Sequence, residues 1–249
     1  MRTREKLRQI AAKSVPAAEY QRESEVRALE KLNLRARFEK SGRAVYISHL
    51  DLMRAMQRAL KRSKIPVWYT EGFNPHIYLN FPLALSLGVT GRSEFMDFAV
   101  TEPSDLETLR DSLNGEMPEG LRILEIFEPL YENKDVGFAD YRIDFYSDSE
   151  SGGTLSLLQK MLSEDKIEVE KRSKSKGMVK TDIKPYINVV GTELHNGFLR
   201  VFVRLPAGLK MNINAGVFTD AFADYSKIKF IKICAERTKI LCSDGQDFK

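Results

Sequence analysis

Apolar and polar positions set the first outline. From Leu34 the apolar residues Leu34, Ala36 and Phe38 alternate with Arg35, Arg37 and Glu39, which predicts a strand. Ser41-Gly42 reads as a turn and Val45-Tyr46-Ile47 as a short extended piece. Ser48 with Asp51 three residues on is a helix start. The helix then runs to about Ser63 on the stripe Leu52, Met53, Met56, Ala59 and Leu60, and Pro66 stops it. Ile77–Phe81 and Glu94–Val100 read as strands, Ser104 with Glu107 as the cap of a second helix, and Arg122–Phe127 as a fourth strand.

The same order is expected again further on. Tyr141–Phe145 reads as a strand, Ser151-Gly152-Gly153 as a turn, Thr154–Ser163 as a helix and Ile167–Lys171 as a strand. A basic loop, Arg172–Lys184, precedes a hairpin of Ile187–Val190 and Phe198–Leu205 around Asn196-Gly197. A helix over 214–225 and strands over Lys227–Ala235 and Lys239–Cys242 finish the chain. Strand, helix, strand, strand, helix, strand is the split β-α-β order, so the expected fold is α+β, two ferredoxin-like domains in tandem. Residues 34–135 form the first and 136–249 the second. Residues 1–33, with Leu7, Ile10, Ala11, Val26, Leu29 and Leu32 at helical spacing broken at Pro16, are expected to be a helical or mobile arm.

Length agrees: 249 residues suit two domains of about 100–120 residues each. No apolar run reaches the roughly 18–20 residues of a membrane span, and no signal-peptide core follows the basic start, so a cytoplasmic location is expected. Two cysteines and three histidines disfavour disulfide, iron–sulfur and zinc frameworks, and no cofactor is expected. The net charge is only +4, but it is unevenly spread. Residues 1–92 carry 18 Lys/Arg against 8 Asp/Glu, residues 93–165 carry 5 against 18, and residues 166–249 carry 16 against 9. That predicts a bipolar molecule unless the fold interleaves the segments.

Two motif blocks carry a resemblance. Phe38-x-Lys40-x-Gly42, Tyr46-x-Ser48-His49-Leu50-Asp51-Leu52-x-Arg54 and Gly72-Phe73-Asn74-Pro75-His76 form the first; Thr181-Asp182-Ile183-Lys184-Pro185-Tyr186-Ile187 is the second. Together they resemble the radical-SAM-linked protein family, a domain of unknown function fused to, or found beside, radical SAM enzymes. The resemblance implies a radical SAM enzyme as partner and a link to RNA metabolism, with no established reaction. The chain has no Cys-x-x-x-Cys-x-x-Cys run of its own, so any such chemistry belongs to the partner.

Three functions follow. The leading one is a non-catalytic RNA- or substrate-binding module. Arg54, Arg58, Lys61 and Arg62 on the first helix, and Lys171, Arg172, Lys174, Lys176, Lys180 and Lys184 in the loop, would hold phosphates. Tyr46, Phe73 and Tyr78 are candidate stacking groups, whereas Trp68, Tyr69 and Phe81 read as core. DNA is not expected as a ligand. The second is a metal-independent endoribonuclease with His49 as acid or base, similar in architecture to the repeat-associated CRISPR endoribonucleases. The third is a protein adaptor using the acidic 93–165 region. A pocket of Tyr46, His49, Phe73, Asn74 and His76 is expected where the Gly72–His76 segment meets the helix start; His49, Asp51 and His76 are the residues a metal would need there.

Overall fold

The computed structural model describes residues 31–148, 151–173, 177–209 and 211–249. The fold is mixed α/β, with one large sheet and, among the described residues, four α-helices. In chain order these are β1 (Leu32–Lys40), α1 (His49–Arg62), β2 (Leu79–Asn80), β3 (Thr90–Val100), α2 (Leu106–Asn114), β4 (Leu121–Phe127) and β5 (Val136–Tyr146). Then follow α3 (Ser151–Ser163), β6 (Glu168–Ser173), β7 (Gly177–Asp182), β8 (Asn188–His195), β9 (Phe198–Pro206), α4 (Ala215–Ser226) and β10 (Lys232–Cys242).

The strands lie in the order β4-β1-β3-β10-β5-β9-β8, with β2 against β3. Pairing within 32–127 and within 136–242 is antiparallel; the halves meet where β3 runs parallel to β10, Thr90 opposite Glu236 and Gly91 opposite Arg237. Alternation assigns the faces. Leu34, Ala36 and Phe38 of β1 turn toward Leu52, Met56 and Leu60 of α1, while Leu199, Val201 and Val203 of β9 join Phe218 and Phe222 of α4 in a second cluster. That second cluster also takes in Leu83, Leu85, Val89 and Phe95. The seam therefore has apolar packing as well as a ladder.

Buried charge marks the same seam. The Arg237 guanidinium donates to both oxygens of Glu94, to the Ala84 carbonyl at 3.1 Å and to the Leu83 carbonyl at 2.9 Å. Both side chains are almost wholly buried. Buried charges are tolerated when paired and fully hydrogen-bonded, and this arrangement meets that demand.

Several elements differ from the sequence expectation. Gly42–Tyr46 is a 3-10 turn rather than an extended piece: Gly42 takes φ +55°, and the Lys40 amine gathers the Val45 and Ile47 carbonyls. Asp105, not Ser104, caps α2, its carboxylate accepting from the Thr108 N–H at 2.8 Å. Ser151-Gly152-Gly153 opens α3 instead of forming a turn, with Ser151 Oγ bonded to the His195 carbonyl. β5 starts at Val136, five residues before the predicted strand.

The described part of the Arg172–Lys184 stretch is a hairpin and a turn rather than a loop. β6 and β7 pair from Glu168 opposite Asp182 to Ser173 opposite Gly177, and Lys184–Tyr186 is a 3-10 turn. The Asp182 carboxylate holds its base by accepting from the Ile167 and Lys184 N–H groups. β10 is one strand where two were expected; a register shift between Arg237 and Lys239 absorbs the irregularity, and Lys227 ends α4 at φ +57°. β1 begins at Leu32, inside the stretch assigned to the arm, whose residues 1–30 lie outside the described residues.

Candidate nucleic-acid interface

The first motif block builds a tip at the start of α1. Lys40 ends β1 with only 1% of its surface exposed, and its amine donates to the Val45 carbonyl at 3.4 Å and the Ile47 carbonyl at 3.2 Å. Burial pushes its pKa down, Glu94 opposes that shift and Arg237 adds to it. Lys40 thus pins the turn from below, and Tyr46 stands out above it at 73% exposure. Ser48 then caps α1, its Oγ accepting from the Asp51 N–H at 3.1 Å and donating to Asp51 Oδ2 at 2.7 Å.

His49 opens the helix. Its ring meets Phe81 edge-on at 5.2 Å, and Phe81 meets Phe38 edge-on at 6.0 Å, so core packing orients an exposed imidazole. Partial burial, then the Lys40 charge, hold its pKa below the usual histidine value. Leu50 is exposed next to it. Leu87 is exposed as well, and the Gly88 N–H donates to the Val45 carbonyl alongside the same turn.

The Gly72–His76 segment is a separate exposed turn. His76 Nδ1 lies 3.0 Å from Thr70 Oγ1 and 3.1 Å from the Asn74 carbonyl, and the His76 N–H donates to Thr70 Oγ1 at 3.2 Å. His76 therefore anchors its own turn and leaves Phe73 fully exposed at the apex. Tyr46, His49, Phe73, Asn74 and His76 are all exposed rather than gathered into an enclosed pocket. Among the described residues no hydrogen bond or ring contact joins His49 to this turn, and no group of three His, Cys, Asp or Glu is placed to hold a metal ion. The convergence of His49, Asp51 and His76 that a metal would need is not found among the described residues.

The predicted phosphate-binding cations separate into spent and free. Arg54 is bonded to Asp51 at 3.1 Å, and Arg62 holds Glu116 through its carboxylate at 2.8 Å and its carbonyl at 2.7 Å. Asp51 has its pKa lowered first by the Ser48 bond and then by Arg54. Arg58 and Lys61 are exposed and form no ion pair among the described residues. Lys180 sits 3.7 Å from Glu168, and the Lys184 amine donates to the Leu162 carbonyl. Lys171 and Arg172 lie on β6, and Lys174 and Lys176 fall outside the described residues.

The charge segments interleave instead of forming two poles. Arg35, Arg37, Arg43 and Arg62 of the basic start pair with Asp97, Glu125, Glu119 and Glu116 of the acidic middle. Arg200, Arg204 and Arg237 of the basic end pair with Asp144, Asp140 and Glu94. The 93–165 region therefore offers much less free acidic surface than its composition suggests. Among aromatics, Tyr69 is exposed where core was expected, and Lys31 lies over the Tyr78 ring at 3.7 Å, occupying a face expected to stack. Sequence reading picked out Lys40 in the first motif block but not its burial, and missed Glu94 and Arg237; a charged residue at a core-facing strand position was the available signal for Lys40.

Fold and site together define a mixed α/β protein with an exposed apolar and cationic tip on one helix. The chain belongs to the family described as "Uncharacterized protein conserved in bacteria (DUF2344)", whose model matches residues 33–214. That description names neither an activity nor a partner. No curated protein matches the chain. Among solved structures, it is similar to one titled "Crystal Structure of a Cbf5-Nop10-Gar1 Complex", at 10% identity and a TM-score of 0.45. The likeness covers 87% of this chain and 52% of that one, so the chain spans about half the length of the structure it matches. No helix among the described residues is long and apolar enough to cross a membrane.

Proposed function

We propose that the protein is a non-catalytic RNA-binding module that presents RNA to a partner enzyme, which the motif resemblance makes a radical SAM enzyme. One observation carries this reading: Leu50, Arg54, Arg58 and Lys61 follow at helical spacing along one exposed side of α1, with Arg58 and Lys61 free of ion pairs among the described residues. Exposed Tyr46 precedes the helix start by three residues. Free cations beside exposed aromatic groups suit a single strand, whose phosphates need charge and whose bases need apolar faces. The adaptor reading through an acidic face has less support, because many of those carboxylates are spent in ion pairs.

We also infer that the strand orders β4-β1-β3-β2 and β10-β5-β9-β8, each antiparallel with helices between, are two ferredoxin-like units, at 34–135 and 136–249, fused through β3 and β10.

The test is fluorescence anisotropy of a labelled RNA oligonucleotide titrated with the protein at several salt concentrations. The double variant Arg58→Glu/Lys61→Glu is expected to weaken binding and reduce the log–log salt slope by about two. An unchanged affinity and slope would remove α1 as the interface. Recovery of intact RNA supports a binding role; cleavage that disappears in His49→Ala would instead make the protein a nuclease.

A further inference from the structure

The sheet carries a second aromatic feature, far along the chain from α1. Residues directly opposite on neighbouring strands point to the same side. Lys232 of β10 is opposite Tyr146 of β5, Tyr146 is opposite Phe198 of β9, and Phe198 is opposite His195 of β8. These four residues make one row across four strands. Their chain neighbours Phe145 and Leu199 are buried against α4, so the row lies on the face turned away from that helix.

The three rings form a column. Tyr146 and Phe198 stack with centroids 4.8 Å apart, and Phe198 and His195 with centroids 4.4 Å apart and planes 8° from parallel. The spacing is that of the strands themselves, so the column repeats once per strand. It stops at His195 because β8 is the last strand of the sheet. Among the described residues no second ring meets His195, whose side chain is 38% exposed. Its Nε2 lies 3.1 Å from a Glu193 oxygen that Arg200 also approaches, which holds the ring in its stacked orientation. At the opposite end of the row Lys232 is exposed without an ion pair among the described residues, and Lys229, three residues before it in the chain, is exposed and unpaired as well.

We propose that this column is a stacking platform for single-stranded RNA: a base adds to the outer face of His195 as the next ring, and Lys229 and Lys232 take backbone phosphates. Every base offers a flat π face, so such a contact is tolerant of sequence. The ligand class rests on the RNA reading above; the site does not, since it shares no residue with α1.

A fluorescein-labelled ten-nucleotide oligouridylate, titrated with the full chain and followed by anisotropy, tests it. His195→Ala is expected to weaken binding about tenfold with the salt slope unchanged, because losing a stacked ring releases no counterions. His195→Phe restores the ring and is expected to restore affinity. Lys229→Glu/Lys232→Glu is expected to flatten the slope by about two. Wild-type affinity in His195→Ala, or a His195→Phe variant as weak as His195→Ala, would overturn the platform while leaving binding through α1 intact. An oligouridylate that the wild-type chain does not bind would overturn the RNA reading itself.

Discussion

Lys40 and His49 show how one buried charge shapes an exposed site. Among the described residues the Lys40 amine is bonded to two carbonyls and to no carboxylate, and its charge adds to the partial burial that lowers the His49 pKa. By NMR, His49 is expected to titrate below the ordinary histidine value of about 6.5, and Lys40→Met to move that titration upward. The stability consequence has a definite sign. As pH falls from 6.5 toward the depressed folded-state value, the unfolded chain takes up the proton first, so stability declines through that window. The sequence held one hint of this, a charged residue at a core-facing strand position. A lysine at a core-facing strand position reads as an ordinary surface cation until the turn folds over it.

Among the elements, α1 is the one whose sequence spoke most directly. Its start at Ser48, its buried stripe of Leu52, Met56, Ala59 and Leu60, and its exposed cations all follow from local spacing and capping. The β8–β9 hairpin was equally legible, because Asn196-Gly197 demands positive φ and Gly197 adopts +84°. Of the β6–β7 hairpin only the first strand was legible; β7 lies in the stretch expected to be a basic loop, because Gly177–Asp182 is a short run without half-buried alternation. Gly120 illustrates a constraint that neither spacing nor propensity reveals. It has φ +87°, and an added Cβ would lie 2.4 Å from the Ser41 carbonyl oxygen. Gly120→Ala is expected to destabilise the fold by about 2 kcal/mol or more, read by urea denaturation.

At the scale of the whole molecule, the β3–β10 seam decides how the two halves behave. The ladder there is short, two residue pairs, but Phe95, Leu83 and Leu85 pack into the core of the second half, and Arg237 binds Glu94 across it. Single-step unfolding is therefore expected. Trp68, the only tryptophan, reports on the first half, and far-ultraviolet circular dichroism reports on all of it. The two urea curves should coincide; separate midpoints would mean that the halves unfold independently. Interleaved charge acts at the same scale. Arginines from the two ends of the chain pair with carboxylates in its middle, which weakens the charge segregation predicted from composition.

Local physics made three things readable from the residues alone: the alternating strands, the capped helix with its exposed cations and the Asn-Gly turn. The tertiary structure decided what depends on residues far apart in the chain. It joined β3 to β10, set Arg237 on Glu94 across 143 positions, closed Lys40 beneath its turn and lined up Lys232, Tyr146, Phe198 and His195 in one row. Periodicity states which face a residue occupies, but pairing between distant strands states what shares that face, and only long-range packing sets that pairing.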